Sequence, residues 1–192
     1  MVMKTAQRAE GFTLTELLMA LAFFMILSAT GTALFGSVTP SMRVNGQVNR
    51  VLSLMQNGRE NAITKQRNHL IRFDEVGHRV ELFRLEDGDE IPVETVAFEY
   101  GVQLFKFEGA VDTPDGYGGD SAVDFGEAAA LMFNSEGSLV DESEIPTNGT
   151  IFLQIPNSGL TARAITITGS TGRARFYVWN GNAEWEGGWL AK

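Results

Sequence analysis

"GFTLTELLMALAFFMILS", residues 11–28, sets one carboxylate, Glu16, at the mouth of a long apolar run. No charged residue follows from 17 to 42, and 17–38 is dominated by Leu, Ala, Phe, Met, Ile and Val. A helix needs about 20 apolar residues to cross the hydrocarbon core of a bilayer, so the run is long enough. Ser28, Thr30, Thr32 and Ser37 do not veto a span, because small hydroxyls bond back to their own helix. Lys4 and Arg8 precede the run, and basic residues before a first span keep the N-terminus in the cytoplasm. Glu16 needs its own explanation. A carboxylate costs about 2.5–3.5 kcal/mol at the centre of a membrane helix and less near its ends, so it either snorkels to the headgroups or has a partner.

Two bland readings of this segment stand beside that one. A secretory signal peptide has an apolar run of about 7–15 residues followed by a small-residue cleavage site. "SATGTA" at 28–33 would serve as the site, but the run is longer than that. A plain signal anchor is the other. Neither accounts for Glu16.

The order of residues does. Gly11, Phe12, Thr13, Leu14, Glu16, Leu17 and Leu18, followed by the apolar run, resemble the type III signal of type IV pilins and type II secretion pseudopilins. Thr15 stands where Ile or Val is commoner, and Glu10 where Lys or Arg is more usual. The resemblance implies that a membrane aspartyl prepilin peptidase cuts after Gly11 and that Phe12 becomes an N-methylated terminus. It implies that Glu16 meets the Phe12 amine of a neighbouring subunit. Burying either charge alone is costly and a matched pair recovers much of the cost, so the pair sets the stagger between subunits. Head-to-tail contacts of this kind do not close and generate helical filaments. Loss of residues 1–11 removes Lys4, Arg8 and Glu10, which makes the remaining chain one unit more acidic than the full chain's −9.

Beyond the run, Pro40 is expected to kink or restart the helix. Val44, Val48, Val51, Leu52, Met55, Ala62 and Ile63 then recur at helical spacing, with Arg50, Arg59, Glu60, Lys65 and Arg67 opposite. This predicts an amphipathic helix to about Arg67 that lays its apolar stripe on a sheet. Arg59, Glu60, Ala62, Ile63, Lys65, Arg67 and Asn68 resemble the stalk end of the GspH/FimT branch of pseudopilins and minor pilins, with one extra residue before the Arg–Asn pair.

From His69 the signals are strands. "HLIRFD", "HRVELFRLEDG", "ETVAFEYG", "VQLFKFEG", "AALMFNSEGSLV", "GTIFLQIPN", "TARAITITG" and "GRARFYVWNG" follow one another, separated by turn residues. The chain is therefore expected to be α+β: a long N-terminal helix, membrane span plus amphipathic stalk, packed on a C-terminal β-sandwich-like head. Its divisions are a cleaved leader at 1–11, a transmembrane helix at 12–39, a stalk at 40–67 and the head at 68–192. With no cysteine, the head rests on its core alone, and disulfides, zinc–thiolate sites and thiol nucleophiles are excluded.

Little chemistry is encoded. His69 and His78 share no metal-ligand spacing and read as solvent-facing strand residues. No G-x-S-x-G elbow is present. "GSTGR" at 169–173 superficially resembles a phosphate loop, but it lacks the G-K-[ST] half and lies between strands, so it reads as a hairpin turn. Asp112, Asp115, Asp120, Asp124 and Glu127 gather in a Gly-rich loop. The four aspartates are a weak calcium candidate, because the spacing is not an EF-hand and turn-forming Asp and Gly explain the loop. Gly172, Arg173, Ala174 and Arg175 match the Gly-Arg-x-Arg element of the GspH/FimT branch. Alternation puts Arg173, Arg175, Tyr177 and Trp179 on one face, a small candidate surface for nucleic acid at Arg173 and Arg175. Two phosphate contacts in an acidic chain give weak, salt-sensitive binding, and a solvated face or a subunit contact is favoured.

The resemblance thus implies an assembly protein and no enzyme, with no cofactor and no resident metal. It implies a minor pseudopilin of a type II secretion system near the tip of the pseudopilus, or alternatively a FimT-like minor pilin acting in pilus assembly or DNA uptake. The partners would be other pilins or pseudopilins, the prepilin peptidase and the inner-membrane assembly platform. The place would be the bacterial inner membrane, single-pass, with the head periplasmic, and then the pseudopilus.

Overall fold

The computed structural model describes residues 12–119, 121–181 and 188–192, and the side chains of all of these except 31–38. Residues 1–11, the expected leader with Gly11, and Asp120 of the acidic loop lie outside the described residues. The helix α1 runs Leu14–Lys65 with Pro40 inside it. Proline supplies no N–H, so the ladder lacks one bond there. The chain divides into two compact units between Thr39 and Pro40.

In the first unit the large apolar side chains from Leu14 to Leu27 are each more than half exposed. Among the described residues no helix is long and apolar enough to cross a membrane. The side chains of 31–38, which complete the apolar run in the sequence, lie outside that statement.

In the second unit α1 buries Val44, Val48, Val51, Leu54, Met55 and Ala62. The stripe differs from the expected one by one helical position: Leu54 is fully buried, Leu52 is half-buried and Ile63 faces outward. Gly58 fills the stripe between Met55 and Ala62. A Cβ there would stand 2.8 Å from Leu82 Cδ1 and 3.2 Å from Phe133 Cδ2, so its absence lets the helix lie close on the sheet. The helix ends at Lys65, and Gln66 turns out of it with φ 53°.

Among the described residues, eleven strands form two antiparallel sheets. One holds β1 (His69–Asp74), β2 (Arg79–Glu86), β3 (Asp89–Ala97), β6 (Leu131–Phe133) and β7 (Leu139–Val140), in the order β3-β2-β1-β6-β7. The other holds β4 (Gln103–Leu104), β8 (Gly149–Gln154), β9 (Arg163–Thr168), β10 (Arg173–Trp179) and β11 (Trp189–Ala191), in the order β11-β10-β9-β8-β4. β5 (Val123–Asp124) also pairs with β8. The helix stripe and the inner faces of both sheets share one core, in which Ile71, Leu82 and Phe133 of the first sheet join Ile151, Leu153 and Ile165 of the second. This is the α+β architecture expected, a helix packed on an antiparallel β domain.

Three local expectations are corrected. β3 begins at Asp89, five residues earlier than the segment read as a strand, because Asp87 (φ 54°) and Gly88 (φ 93°) make the tight turn that right-twisted hairpins favour. "VQLFKFEG" contributes only Gln103 and Leu104 to a sheet. The chain then leaves the sheet, and Phe107 packs on Trp179 and Trp189 in a second apolar cluster. His69 is not solvent-facing: it is fully buried where β1 is flanked on both sides, by Arg84 and by Phe133.

Candidate functional site

Glu16 lies in the first turn of α1 and bonds within its own chain. Its Oε2 accepts from Thr13 N at 2.9 Å and from Thr13 Oγ1 at 2.8 Å, while Glu16 N donates to Thr13 Oγ1 at 3.3 Å. This is a capping box: the hydroxyl at the N-cap and the acid three residues on satisfy otherwise orphaned N–H groups reciprocally. The T-x-x-E signature is legible at 13–16, but the sequence analysis weighed only headgroup snorkelling and an intermolecular partner for the acid. Phe12, beside it, is 88 % exposed. Glu16 is thus held at the helix start by its own neighbour.

β10 carries the second candidate. Arg173 and Arg175 are exposed, whereas Tyr177 and Trp179, on the same face, are buried. The loop after β4 covers them, since Phe107 and Val111 pack on the cluster they form with Phe152, Ala162, Ala164 and Trp189. Trp189 Nε1 donates to Val111 O at 3.0 Å. Asp115 reaches the strand from the same loop. It accepts from Arg175 Nη1 at 2.6 Å, from Thr166 Oγ1 at 2.6 Å and from Tyr177 Oη at 2.9 Å. The Asp115 side chain is only 11 % exposed, against 56 % for Arg175.

The electrostatics follow from that geometry. Burial by itself would raise the Asp115 carboxyl, but the hydrogen bonds from Thr166 and Tyr177 and the charge and hydrogen bond of Arg175 outweigh it, and its pKa lies below the ordinary value. Burial and the bond to Asp115 push the Tyr177 phenol up. The hydrogen bond with Tyr177 and then the carboxylate of Asp115 push Arg175 up. The arrangement offers no stacking platform, because the aromatics are covered, and one of its two arginines is already neutralised. Of the expected nucleic-acid pair, Arg175 is paired with Asp115, and Arg173 has no ion pair among the described residues.

The acidic loop does not converge. Asp112 Oδ1 accepts from Thr113 N and Gly118 N, Asp124 Oδ1 from Gly126 N, and Asp115 is spent on β10. Among the described residues no group of three or more acidic or histidine side chains is placed to hold a metal ion. Asp112 and Asp124 thus serve turns and Asp115 serves β10, while Asp120 lies outside the described residues.

Arg59, singled out by the stalk motif, has a structural task. Its Nε donates to Gly137 O at 3.1 Å in the β6–β7 turn. Gly172, with φ 61°, lies against the same carbonyl, and a Cβ there would also stand 3.0 Å from Arg59 Cδ. Ser138 Oγ adds a bond to Ser170 O at 3.0 Å. The helix end thereby ties together a turn from each sheet. At the other end of the head, buried Arg163 donates from Nε to Asn45 Oδ1 at 2.7 Å, a link between residues 118 apart that no local pattern announces.

No family model and no curated protein matches the chain. Solved structures similar to it include the type IV minor pilin FimU of Pseudomonas aeruginosa, at 16% identity over 68% of this chain and 85% of that one, with a TM-score of 0.47. The minor pseudopilin EpsH from the Type 2 Secretion System of Vibrio cholerae is similar at 14% identity over 73% of this chain and 98% of that one, with a TM-score of 0.48. Its structural neighbours are thus a type IV minor pilin and a type II minor pseudopilin.

Proposed function

We propose that the chain is a minor pseudopilin of a type II secretion system, a non-catalytic subunit that joins the periplasmic pseudopilus near its tip. The observation that carries this reading is the N-terminal unit. Glu16 opens an apolar helix whose described side chains are exposed, and that helix continues into the spine of a two-sheet head. Exposed apolar side chains in such a helix call for lipid or other helices around them. In this reading residues 12–39 sit in the bacterial inner membrane with the N-terminus cytoplasmic and the head periplasmic. The prepilin peptidase removes residues 1–11, Phe12 is methylated, and its amine meets Glu16 of the next subunit. The inner-membrane platform then adds the subunit to the filament.

The capping box gives the mechanism a resting state. Before assembly Glu16 is satisfied by Thr13, so the acid does not wait unpaired. Assembly exchanges those bonds for a charge pair in a low-dielectric setting, and only the correct stagger completes the exchange. The alternative, a FimT-like minor pilin serving pilus assembly or DNA uptake, rests on Arg173 and Arg175. The pairing of Arg175 with Asp115 and the burial of Tyr177 and Trp179 favour the scaffold over the DNA receptor.

The test is genetic and chemical together. Gly11→Ala should retain the mass of residues 1–11, whereas Glu16→Ala should be processed yet fail to enter the filament. In a deletion strain, the wild-type copy should restore enzyme secretion and Glu16→Ala should not, with pili and DNA uptake intact in both. Loss of pili or uptake with secretion unchanged would transfer the protein to the type IV pilus.

A further inference from the structure

We propose that the end of the head at which the chain enters from Pro40 rests on the phospholipid headgroup layer through an apolar collar of Met42, Val76, Tyr100 and Leu160; the proposal rests on the reading that places residues 12–39 in the membrane and adds a second lipid contact to it. Among the described residues from Pro40 onward, five large apolar side chains are more than half exposed: these four and Ile145. Single exposed apolar residues are ordinary, but four gathered at one end mark a surface that meets something.

The contacts place them together. Met42 and Arg43 lie in the first turn of the head's share of α1. The Arg43 guanidinium sits over the Tyr100 ring, 5.2 Å from its centroid. β4 and β8 pair through Gln103 and Gln154, so the turn before β4, with Tyr100, and the loop after β8, with Leu160, leave that strand pair at the same end. Arg163 joins the loop to the helix: its Nε donates to Asn45 Oδ1 at 2.7 Å and its Nη1 to Leu160 O at 3.1 Å. Val76 is 92 % exposed in the β1–β2 turn, and His78 O of that turn accepts from Phe98 N, two residues before Tyr100. Ile145 lies at the other end, in the turn after β7, whose preceding turn accepts from Arg59.

Two of the four are fixed in their exposed positions. Leu160 is 69 % exposed, yet its 3-10 turn, Gly159–Thr161, is pinned from beneath by buried Arg163 and buried Thr161. Thr161 Oγ1 donates to Ser158 O at 2.6 Å and accepts from Ile155 N at 3.1 Å. Tyr100 has φ 60°, a left-handed conformation that bulky side chains rarely adopt, and Gly101 follows with φ 76°. Strain of this kind persists only where the surrounding structure imposes it.

The occupant follows from position and charge. The head begins at Pro40, directly after the apolar run of 17–38, so in the membrane reading this end is the first part of the head beyond the bilayer core. Its charges nearly balance. Arg50 pairs with Glu99 and Arg79 with Asp74, while Arg43 and Glu75 have no ion pair among the described residues and Arg163 is buried. Glu184 and Glu186, which follow Gly181 in the sequence, lie outside the described residues. Attraction to anionic lipid therefore does not drive the contact; burial of apolar area does. Tyrosine suits the headgroup level, where an amphipathic ring has one apolar and one wet side, and the Arg43 head can reach lipid phosphate. A subunit entering a filament must then lift this collar off the lipid.

The absence of cysteine makes the contact directly testable. The full chain carrying Val76→Cys or Ile145→Cys is labelled with a polarity-sensitive dye and reconstituted into phosphatidylcholine vesicles that contain a headgroup-nitroxide lipid. Quenching and a blue shift are expected at 76 and not at 145. Raising salt from about 0.05 to about 0.5 M shortens the reach of charges and should leave the quenching unchanged. Leu160→Ser in the Val76→Cys chain should shift the docking equilibrium about ten-fold toward the undocked head, as loss of one buried leucine side chain allows. Near-ultraviolet circular dichroism checks that this exposed substitution leaves the fold intact, and Tyr100→Ser provides a second variant with the same expectation. No quenching at 76, equal quenching at 145, loss of quenching at high salt, or indifference to both substitutions overturns the proposal. Flotation of the same vesicles reports membrane insertion separately. Chains that float without quenching at 76 sink the head contact alone; chains that do not float sink the membrane reading and the contact with it.

Discussion

Asp115 is the residue on which the organisation of β10 turns. It lies 60 positions before Arg175, so the loop that carries it must fold over the strand before the charge is matched. Asp115→Asn removes the charge from a network of three donors and is expected to cost about 1–3 kcal/mol, read as a lower urea midpoint. The acid dependence follows with its sign. The folded pKa lies below the unfolded one, so the carboxylate's contribution is complete above the ordinary carboxylate value and is lost as pH falls through the lower folded value. The Asn variant should lack that part of the acid sensitivity. His69 behaves likewise in a higher window. Burial is the main cause of its lowered pKa, the charges of Lys65 and Arg84 add to it, and the bond to Arg67 O opposes them. Its Nε2 is buried with no partner among the described residues, so protonation there is unwelcome. Stability should be complete above about pH 6.5 and fall as pH drops from there through the folded value, and His69→Gln should flatten that slope.

At the scale of the element, α1 carries two glycines with opposite expectations. Gly46 is exposed and nothing would lie within 4 Å of a Cβ there, so Gly46→Ala should stabilise by about 0.4–1 kcal/mol through the unfolded chain. Gly58 faces Leu82 and Phe133 at contact distance, so Gly58→Ala should destabilise, the overpacking of about 1–3 kcal/mol exceeding the gain in helix propensity. Thermal unfolding of the pair measures both. Equal shifts in the same direction would show that the helix does not approach the sheet so closely. The turns obey the same local logic: Asp87-Gly88 was readable as a hairpin signal, whereas the acidic, Pro-containing β3 that follows it was not, because β-propensity disfavours Asp, Glu and Pro.

For the whole molecule the decisive fact is where the core begins. Among the described residues Val44 is its first buried apolar residue, and the shared core lies within Pro40–Lys192. A fragment of residues 40–192 is therefore expected to unfold cooperatively with the same midpoint as the full chain, read by near-ultraviolet circular dichroism. A broad, non-cooperative transition would mean that residues 12–39 hold up the head.

What the sequence determined by itself was whatever local chemistry dictates: the apolar run, the acid at its mouth, the helical stripe from Val44 to Ala62, and most strands. These signals are short-range, set by helical and strand periodicity within a few residues. Only the tertiary structure decided which polar residues meet. Arg163 with Asn45, Arg59 with Gly137 and Asp115 with Arg175 are joined across 118, 78 and 60 positions. It also decided that Tyr177, Trp179 and His69 are buried rather than presented to solvent. Burial depends on what folds over a strand, and strand alternation names only the face, not what covers it.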